Sequence, residues 1–368
     1  MPEDFLPQHN SFRLQVRSFV KQRLAPESSA WETKGRFPSS VLRHCAERGL
    51  ITLDQERNAV VAEELPKCEC LGLALTVFVQ ANLMAPMLNE LGSAEQKKKL
   101  LPALLAGKRL GAMAVSEPAS GSDFAALKTH AEAARRGWRL NGVKTYITNG
   151  AIADFFIVAA QTDRGEGVQG LSLFLVPART KGVSVKPLAN LGLAPAGAGT
   201  ITFDNCELPA DGLLGERRQG FGYVQSALNS ERLFGGLACV SWAQHALAKT
   251  QRYLRARSAF GKTLNHFQVL RHQMAEMQTR LEAARRLNYS VFERWLLRQE
   301  VTKEICMIKL FSYQVAQQVI ADCLQLHGGL GYTDEHWCSR FYRDARALTI
   351  AAGTPEIMKE MIAAYLRL

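Results

Sequence analysis

The stretch WRLNGVKTYI, residues 138–147, alternates apolar and polar side chains with a period of two. That is the signature of a half-buried strand. Asn141-Gly142 inside it is the strongest short-range hairpin signal, so the stretch predicts a turn there. FFIVAAQ (155–161), LSLFLVPA (171–178), GVSVKPL (182–188) and GTITFDNCEL (199–208) follow as further strands, with Gly-rich turns between them. Several short strands at this spacing predict an antiparallel sandwich or barrel.

On either side of this region the period changes. Before Gly111, helical spacing covers Phe12 to Leu24, Val41 to Gly49, Ala59 to Leu65 and Ala94 to Leu105, the last with a start signal at Ser93. After Phe221 the chain is helical again. Met274, Met277, Leu281, Ala284, Asn288, Val291 and Trp295 recur every three or four residues, as in a bundle seam. The expected fold class is α+β and multi-domain: an N-terminal helical domain (1–110), a middle antiparallel β-barrel or sandwich (111–218) and a C-terminal four-helix bundle (219–368).

Composition narrows the class. The chain has 368 residues, 47% hydrophobic and 21% charged, enough for two or three packed units. No uninterrupted run of about eighteen apolar residues predicts a membrane span. MPEDFLPQHNSF (1–12) has neither a secretory core nor an Arg-rich transit face, so a cytoplasmic location is the expectation. Eight cysteines are scattered, with Cys68 and Cys70 the only close pair; free thiols are expected rather than disulfides or a zinc site. The formal net charge of +11 is spread along the chain, and Lys97-Lys98-Lys99 reads as a solvated helix face. The excess suits an anionic partner, such as a phosphorylated ligand, coenzyme A or an acidic carrier protein, better than nucleic acid.

Several motifs fail on inspection. AFGKT (259–263) ends like a phosphate loop, but Ala256 stands where that loop needs Gly, and a helix precedes it. GGLG (328–331) lacks dinucleotide-fingerprint spacing. Neither HExxH nor GxSxG occurs.

Six segments do cohere: AVSEPASGSD (114–123), NGVKTYITNGAIADFFIV (141–158), RSAFGK (257–262), LQLHGGLGYTDE (324–335), FYRDAR (341–346) and GTPEI (353–357). In this order they closely resemble the acyl-CoA dehydrogenase family, from about Glu90 to the C-terminus. The N-terminal third matches in helical character, without the usual Gly-rich loop between Leu50 and Glu63. The resemblance implies the same three-part fold and bound FAD, with the flavin between β-domain and bundle and a second subunit completing the adenosine site. It places Val115 and Ser116 at the flavin, Tyr146 over the ring and Thr148 near N5. Arg257, Phe260, Gln268, Gln325 and Gly329 would hold pyrophosphate and adenosine across a subunit interface, with Thr354 and Glu356 on the adenosine part in their own subunit. Ser122 and Arg232 are expected at the thioester substrate. Elementary chemistry agrees: a pyrophosphate needs an Arg fork and close backbone approach, and a flavin needs a dry ring and a tuned N5.

One residue is missing. The family commonly carries its catalytic glutamate where Ala352 stands and a Tyr where Ala351 stands. Removing a proton beside a thioester carbonyl needs a desolvated carboxylate. Along the helix opening at Phe221, the positions Phe221, Val224, Leu228, Glu231, Gly235, Ala238 and Trp242 form one stripe in which Glu231 is the only charge. Some branches resembling isovaleryl-CoA, long-chain and prolyl-carrier-protein dehydrogenases keep the base here, and SERL (230–233) matches that position. Glu231 is therefore the expected base; a buried ion pair with Arg232 is the bland alternative. Glu356 in a helix's first turn complements the dipole. The expected reaction is α,β-desaturation of a coenzyme A or carrier-protein thioester, with hydride passing to flavin N5 and an electron-transfer flavoprotein or other acceptor reoxidising it. The alternatives are a flavin-dependent oxidase or monooxygenase that does not desaturate, and a non-catalytic paralogue. A homo-oligomer, dimer or tetramer, is expected in each case.

Overall fold

A computed structural model describes residues 5–368; the first four residues of the acidic N-terminal stretch lie outside the described residues. The chain forms two compact units. One contains residues up to 28, 59–70 and 232–368, and the other contains 29–58 and 71–231.

In order, the early helices are α1 (Asn10–Phe19), α2 (Ser28–Lys34), α3 (Ser39–Glu47), α4 (Gln55–Glu64), α5 (Leu71–Val79), α6 (Ala85–Leu91) and α7 (Ala94–Leu105). Ser93 caps α7 through a capping box. Its hydroxyl accepts from Gln96 N–H, and the Gln96 side chain accepts from Ser93 N–H. A π-turn over Gln80–Met84 joins α5 to α6. Leu71–Leu91 as a whole is long and apolar enough to cross a membrane by length and composition, and 83% of its most apolar window is buried within the protein. Gln80 and Asn82 interrupt its apolar run, and burial within the protein accounts for its composition.

Eight strands form the sheet of the second unit: β1 (Gly111–Ala114), β2 (His130–Ala134), β3 (Gly137–Ile147), β4 (Phe155–Gln161), β5 (Leu171–Pro177), β6 (Val183–Pro187), β7 (Gly199–Pro209) and β8 (Leu213–Leu214). The order is β6-β7-β3-β2-β4-β5-β8, with β1 beside β4. The sheet is mixed rather than wholly antiparallel, because β1 and β2 both run parallel to β4. Leu140, Ile147, Phe156, Val158, Phe174, Ile201 and Phe203 meet in one core.

Asn141-Gly142 is not a turn. The β2–β3 hairpin turns at Arg135-Arg136, where Ala134 pairs with Gly137, and β3 runs straight through Asn141. Opposite it, β7 carries an extra residue, seen as a register shift between Leu140 and Gly142. Asn205 takes a φ of 47° there, and its N–H donates to Asn141 Oδ1 at 2.7 Å. Asn141 thus satisfies a bulge, and Gly142 (φ 145°) lets the strand pass Thr129.

The first unit holds most of α8 (Gly220–Ala256), the short strands β9 (Ser258–Ala259) and β10 (Lys262–Thr263), and α9 (Gln268–Leu296), α10 (Thr302–Tyr332), α11 (Trp337–Leu348) and α12 (Pro355–Tyr365). The predicted seam of α9 is buried at Met277, Leu281, Ala284, Asn288 and Val291. Phe234 meets Phe292 edge-on at 5.5 Å, and Trp242 packs on Phe341 at 4.8 Å. All eight cysteines are buried thiols outside any disulfide.

A side chain at position 142 would strike Thr129, backbone included, at a φ that L-residues rarely adopt. Gly142→Ala is expected to cost about 2–4 kcal/mol in urea unfolding. A cost under about 0.5 kcal/mol would contradict the bulge reading.

Candidate active site

β3 begins the site. Lys144 is fully buried in the sheet unit and donates to Val115 O at 2.7 Å and to Glu117 at 2.8 Å. Glu117 also accepts from the backbone N–H groups of Lys128 and Thr129, at 2.7 and 2.9 Å. Thr145 N–H donates to Ser116 O at 2.9 Å. Val115 and Ser116 are therefore strapped to the strand that carries Tyr146 and leads into Thr148. Sequence reasoning passed over this pair. The available signal was Lys144 itself, four residues on from the core residue Leu140 and so on the inward parity of β3.

Directly after Lys144 the strand bulges, with the register shifting between Lys144 and Ile147. Tyr146 takes a φ of 59°, which is costly for a bulky residue, and its side chain is 68% exposed. The extra residue also returns Ile147 to the core face shared with Leu140, seven positions earlier. Thr148 is half-buried. The next turn is pinned by Thr76, whose hydroxyl donates to Asn149 Oδ1 at 2.8 Å. Ser122 stands exposed in a loop closed by mutual backbone bonds between Glu117 and Ser120.

In the bundle unit, AFGKT forms a tight hairpin rather than a phosphate loop. Phe260 and Gly261 both have positive φ, and the Phe260 ring is 93% exposed. Arg257, Gln268 and Gln325 are exposed as well. Gly328 breaks α10 with φ 58° and ψ −142°, and neither Gly328 nor Gly329 has any atom within 4 Å of where a Cβ would stand. Thr354 caps α12, its hydroxyl accepting from Ile357 N–H, with Pro355 in the first turn. Glu356 is exposed beside it, its pKa lowered by its own backbone N–H and by the Thr354 hydroxyl.

The 351–354 loop is held from α8. Arg232 is buried, and its Nε donates to Ala352 O at 2.9 Å. Ala352 sits at φ 57° and Gly353 at φ 102°. The bond to Ala352 O occupies the Nε of Arg232, a residue expected at the substrate. Glu231, the residue before it, is half-buried. In the same stripe Gly235 leaves room for the Tyr313 hydroxyl, which donates to Arg232 O at 3.0 Å. A cleft of about 640 Å3 opens in the bundle unit along another face of α8, at Leu237, Ser241 and Gln244, and includes none of the expected site residues.

Two measurable consequences follow from these charges. Lys144→Met would leave Glu117 buried without its cation and is expected to cost about 3–5 kcal/mol in urea unfolding. A near-neutral result would mean the pair is not buried as described. In the bundle unit, burial alone would raise the Glu69 pKa, but the His245 hydrogen bond and the Lys249 ammonium hold it at about 2. Its folded pKa lies below the ordinary value of 4.5, so its stabilisation is present above pH 4.5 and lost as pH falls toward 2. The stability gap between wild type and Glu69→Gln is expected to be full above pH 4.5 and to close below it, in urea titrations across that range.

Comparisons place this geometry. The acyl-CoA dehydrogenase N-terminal, middle and C-terminal domain models match residues 7–108, 112–206 and 218–366. The mitochondrial long-chain specific acyl-CoA dehydrogenase of Sus scrofa is 35% identical, over 98% of this chain and 86% of its own. A crystal structure of acyl-CoA dehydrogenase from Geobacillus kaustophilus superposes with a TM-score of 0.94 at 33% identity, covering 98% of both chains. The prolyl acyl carrier protein oxidase AnaB superposes at 0.93 with 30% identity, over 98% of this chain and 99% of that one. The chain belongs to the acyl-CoA dehydrogenase family.

Proposed function

We propose that Glu231 is the base with which this FAD-dependent acyl-thioester dehydrogenase, an oxidoreductase acting on CH–CH bonds, removes the α-proton of its substrate. The observation that carries the reading is the state of the 351–354 loop. Its backbone is fastened to α8 by Arg232, but its side chains at 351 and 352 are only methyl groups, which cannot hold a proton. Glu231 is the carboxylate next to that anchor, half-buried on an otherwise uncharged stripe.

The residues fit FAD. Tyr146 and Phe260 present rings to the outside at backbone angles that cost energy, which a plain surface would not require. Gly328 and Gly329 leave their surroundings open, as a close-approaching pyrophosphate needs. Val115, Ser116, Tyr146 and Thr148 would hold the ring end. Arg257, Phe260, Gln268, Gln325 and Gly329 would hold the pyrophosphate and adenosine, with Thr354 and Glu356 beside them. Bound FAD supplies the hydride acceptor for the β-carbon. The exposure of the Arg257–Gly329 set suits a site completed by a second copy, hence a homo-oligomer.

The small side chains of Ala351 and Ala352 leave space for a branched or cyclic acyl group, and Ser122 would meet the carrier end of the thioester. The carrier is coenzyme A or an acidic acyl or peptidyl carrier protein; the net charge of +11 suits either. An electron-transfer flavoprotein or another acceptor takes the electrons onward, in the cytoplasm.

The test is flavin absorbance during anaerobic titration with short, branched and cyclic acyl thioesters. Wild type is expected to bleach with at least one of them. Glu231→Gln should bleach about 10²–10⁴-fold more slowly while keeping its flavin. Equal bleaching rates would make Glu231 structural. Bound flavin that no thioester reduces would turn the reading toward chemistry other than desaturation.

A further inference from the structure

The break in α10 has a second feature behind it. His327, just before Gly328, is buried; His336 caps α11; and Cys338 lies in the first turn of α11, fully buried. One ligand atom from each of these three side chains lies within 4.8 Å of the other two. We propose that His327, His336 and Cys338 bind a single thiophilic divalent metal ion of the zinc class.

The donor chemistry supports it. His327 Nδ1 donates to Cys323 O at 2.8 Å, which leaves the lone pair on Nε2. A ligating imidazole held by a backbone carbonyl on its far nitrogen is the usual way a protein fixes tautomer and ring direction. The ring is held in place, stacked on Tyr253 at 4.2 Å and edge-on to Trp337 at 5.2 Å. Two imidazoles and a thiolate suit zinc and exclude magnesium or calcium, which take oxygen ligands. Three protein ligands leave a fourth position, which water can reach beside the half-buried His336.

Binding has identifiable costs. Ligands at about 2.0–2.3 Å from zinc sit roughly 3.5 Å apart, so the cluster contracts by about an ångström. His336 Nδ1 accepts from Cys338 N–H at 3.3 Å, and a neutral ring has one lone pair, so coordination gives up this long cap. The Cys338 thiol proton leaves to solvent as the metal–sulfur bond forms. Lys249 and Arg340 are the adverse charges; Lys249, 4.7 Å from the Trp337 ring centroid, is answered by Glu69 at 2.5 Å. Once formed, the site would tie the end of α10 to the start of α11 and fix the break that carries Gly328 and Gly329. It is separate from the desaturation reading and stands or falls without it.

The experiment is equilibrium dialysis of chelator-treated holoenzyme against Zn²⁺, with metal counted per chain. Wild type is expected to bind one Zn²⁺. Cys338→Ser should weaken binding by more than about a hundredfold, and His336→Gln, at a half-buried position, by at least about tenfold. Cys206→Ser, a buried thiol in the sheet unit, should bind as wild type does. Circular dichroism and retained flavin absorbance check that each variant is folded. No stoichiometric Zn²⁺ in wild type, or affinity unchanged in both Cys338→Ser and His336→Gln, overturns the site.

Discussion

The buried pair of Lys144 and Glu117 is the constraint on which the sheet unit's site depends. Two ions out of water repay their desolvation only when the remaining hydrogen-bond capacity is filled. Here it is filled. Glu117 takes two backbone N–H groups besides the ammonium, and Lys144 gives a further bond to Val115 O. Burial pulls the Lys144 pKa down from the ordinary lysine value, and the Glu117 carboxylate beside it opposes that shift. The pair joins three separate stretches: 115–117, 128–129 and β3. A one-residue slip of β3 would carry the ammonium into the opposite face. The bulge that carries Tyr146 begins at the next residue, so its register is fixed by this buried pair.

In the bundle unit Arg232 has the corresponding part. A guanidinium cannot be buried without acceptors. One of those acceptors is the carbonyl of Ala352, a residue held at positive φ where glycine would be cheaper. The strain and the buried cation answer each other: the carbonyl points at Arg232 because the backbone turns left-handed. The family's usual acid at this position is gone, yet the loop keeps a defined backbone. The defined backbone comes from the Arg232 bond to the Ala352 carbonyl, and the side chains at 351 and 352 are methyl groups.

Much of this was legible in the sequence, and the misses have physical causes. The amphipathic α9 and the start of α7 at Ser93 announced themselves, because a one-sided helix writes its period into the chain and a cap residue marks its beginning. Leu71–Leu91 did not. It is apolar nearly all round, so no period marks it. Strand β1, GAMA, is four residues without alternation and offered no signal. Asn141-Gly142 misled because the dipeptide favours turns intrinsically, while tertiary pairing decided otherwise: β7 pairs with residues on both sides of it. Among the expected site residues, Tyr146, Arg257 and Glu231 stand out in the sequence as residue types in motifs. Their support does not, because the partnerships of Lys144 with Glu117 and of Arg232 with Ala352 span sequence distances that no local pattern records.

The stripe that carries Glu231 has two physical origins, and separating them sharpens the assignment. Small residues at 235 and 236 are explained by helix packing, since a Cβ at either would run into Tyr313 or Ile308 of α10. The Tyr313 hydroxyl then bonds Arg232 O, which fixes the rotation of α8 about its axis at this level. Packing therefore accounts for Gly235, Gly236 and Arg232 without any chemistry. It does not account for a carboxylate one residue earlier. Close approach of two helices asks for small side chains, and Glu is neither small nor easily desolvated. The rotation that packing imposes is also what sets the direction of residue 231. A carboxylate there rides on a helix whose rotation is set by contacts that exist for other reasons, so the backbone at 231 does not depend on the side chain it carries.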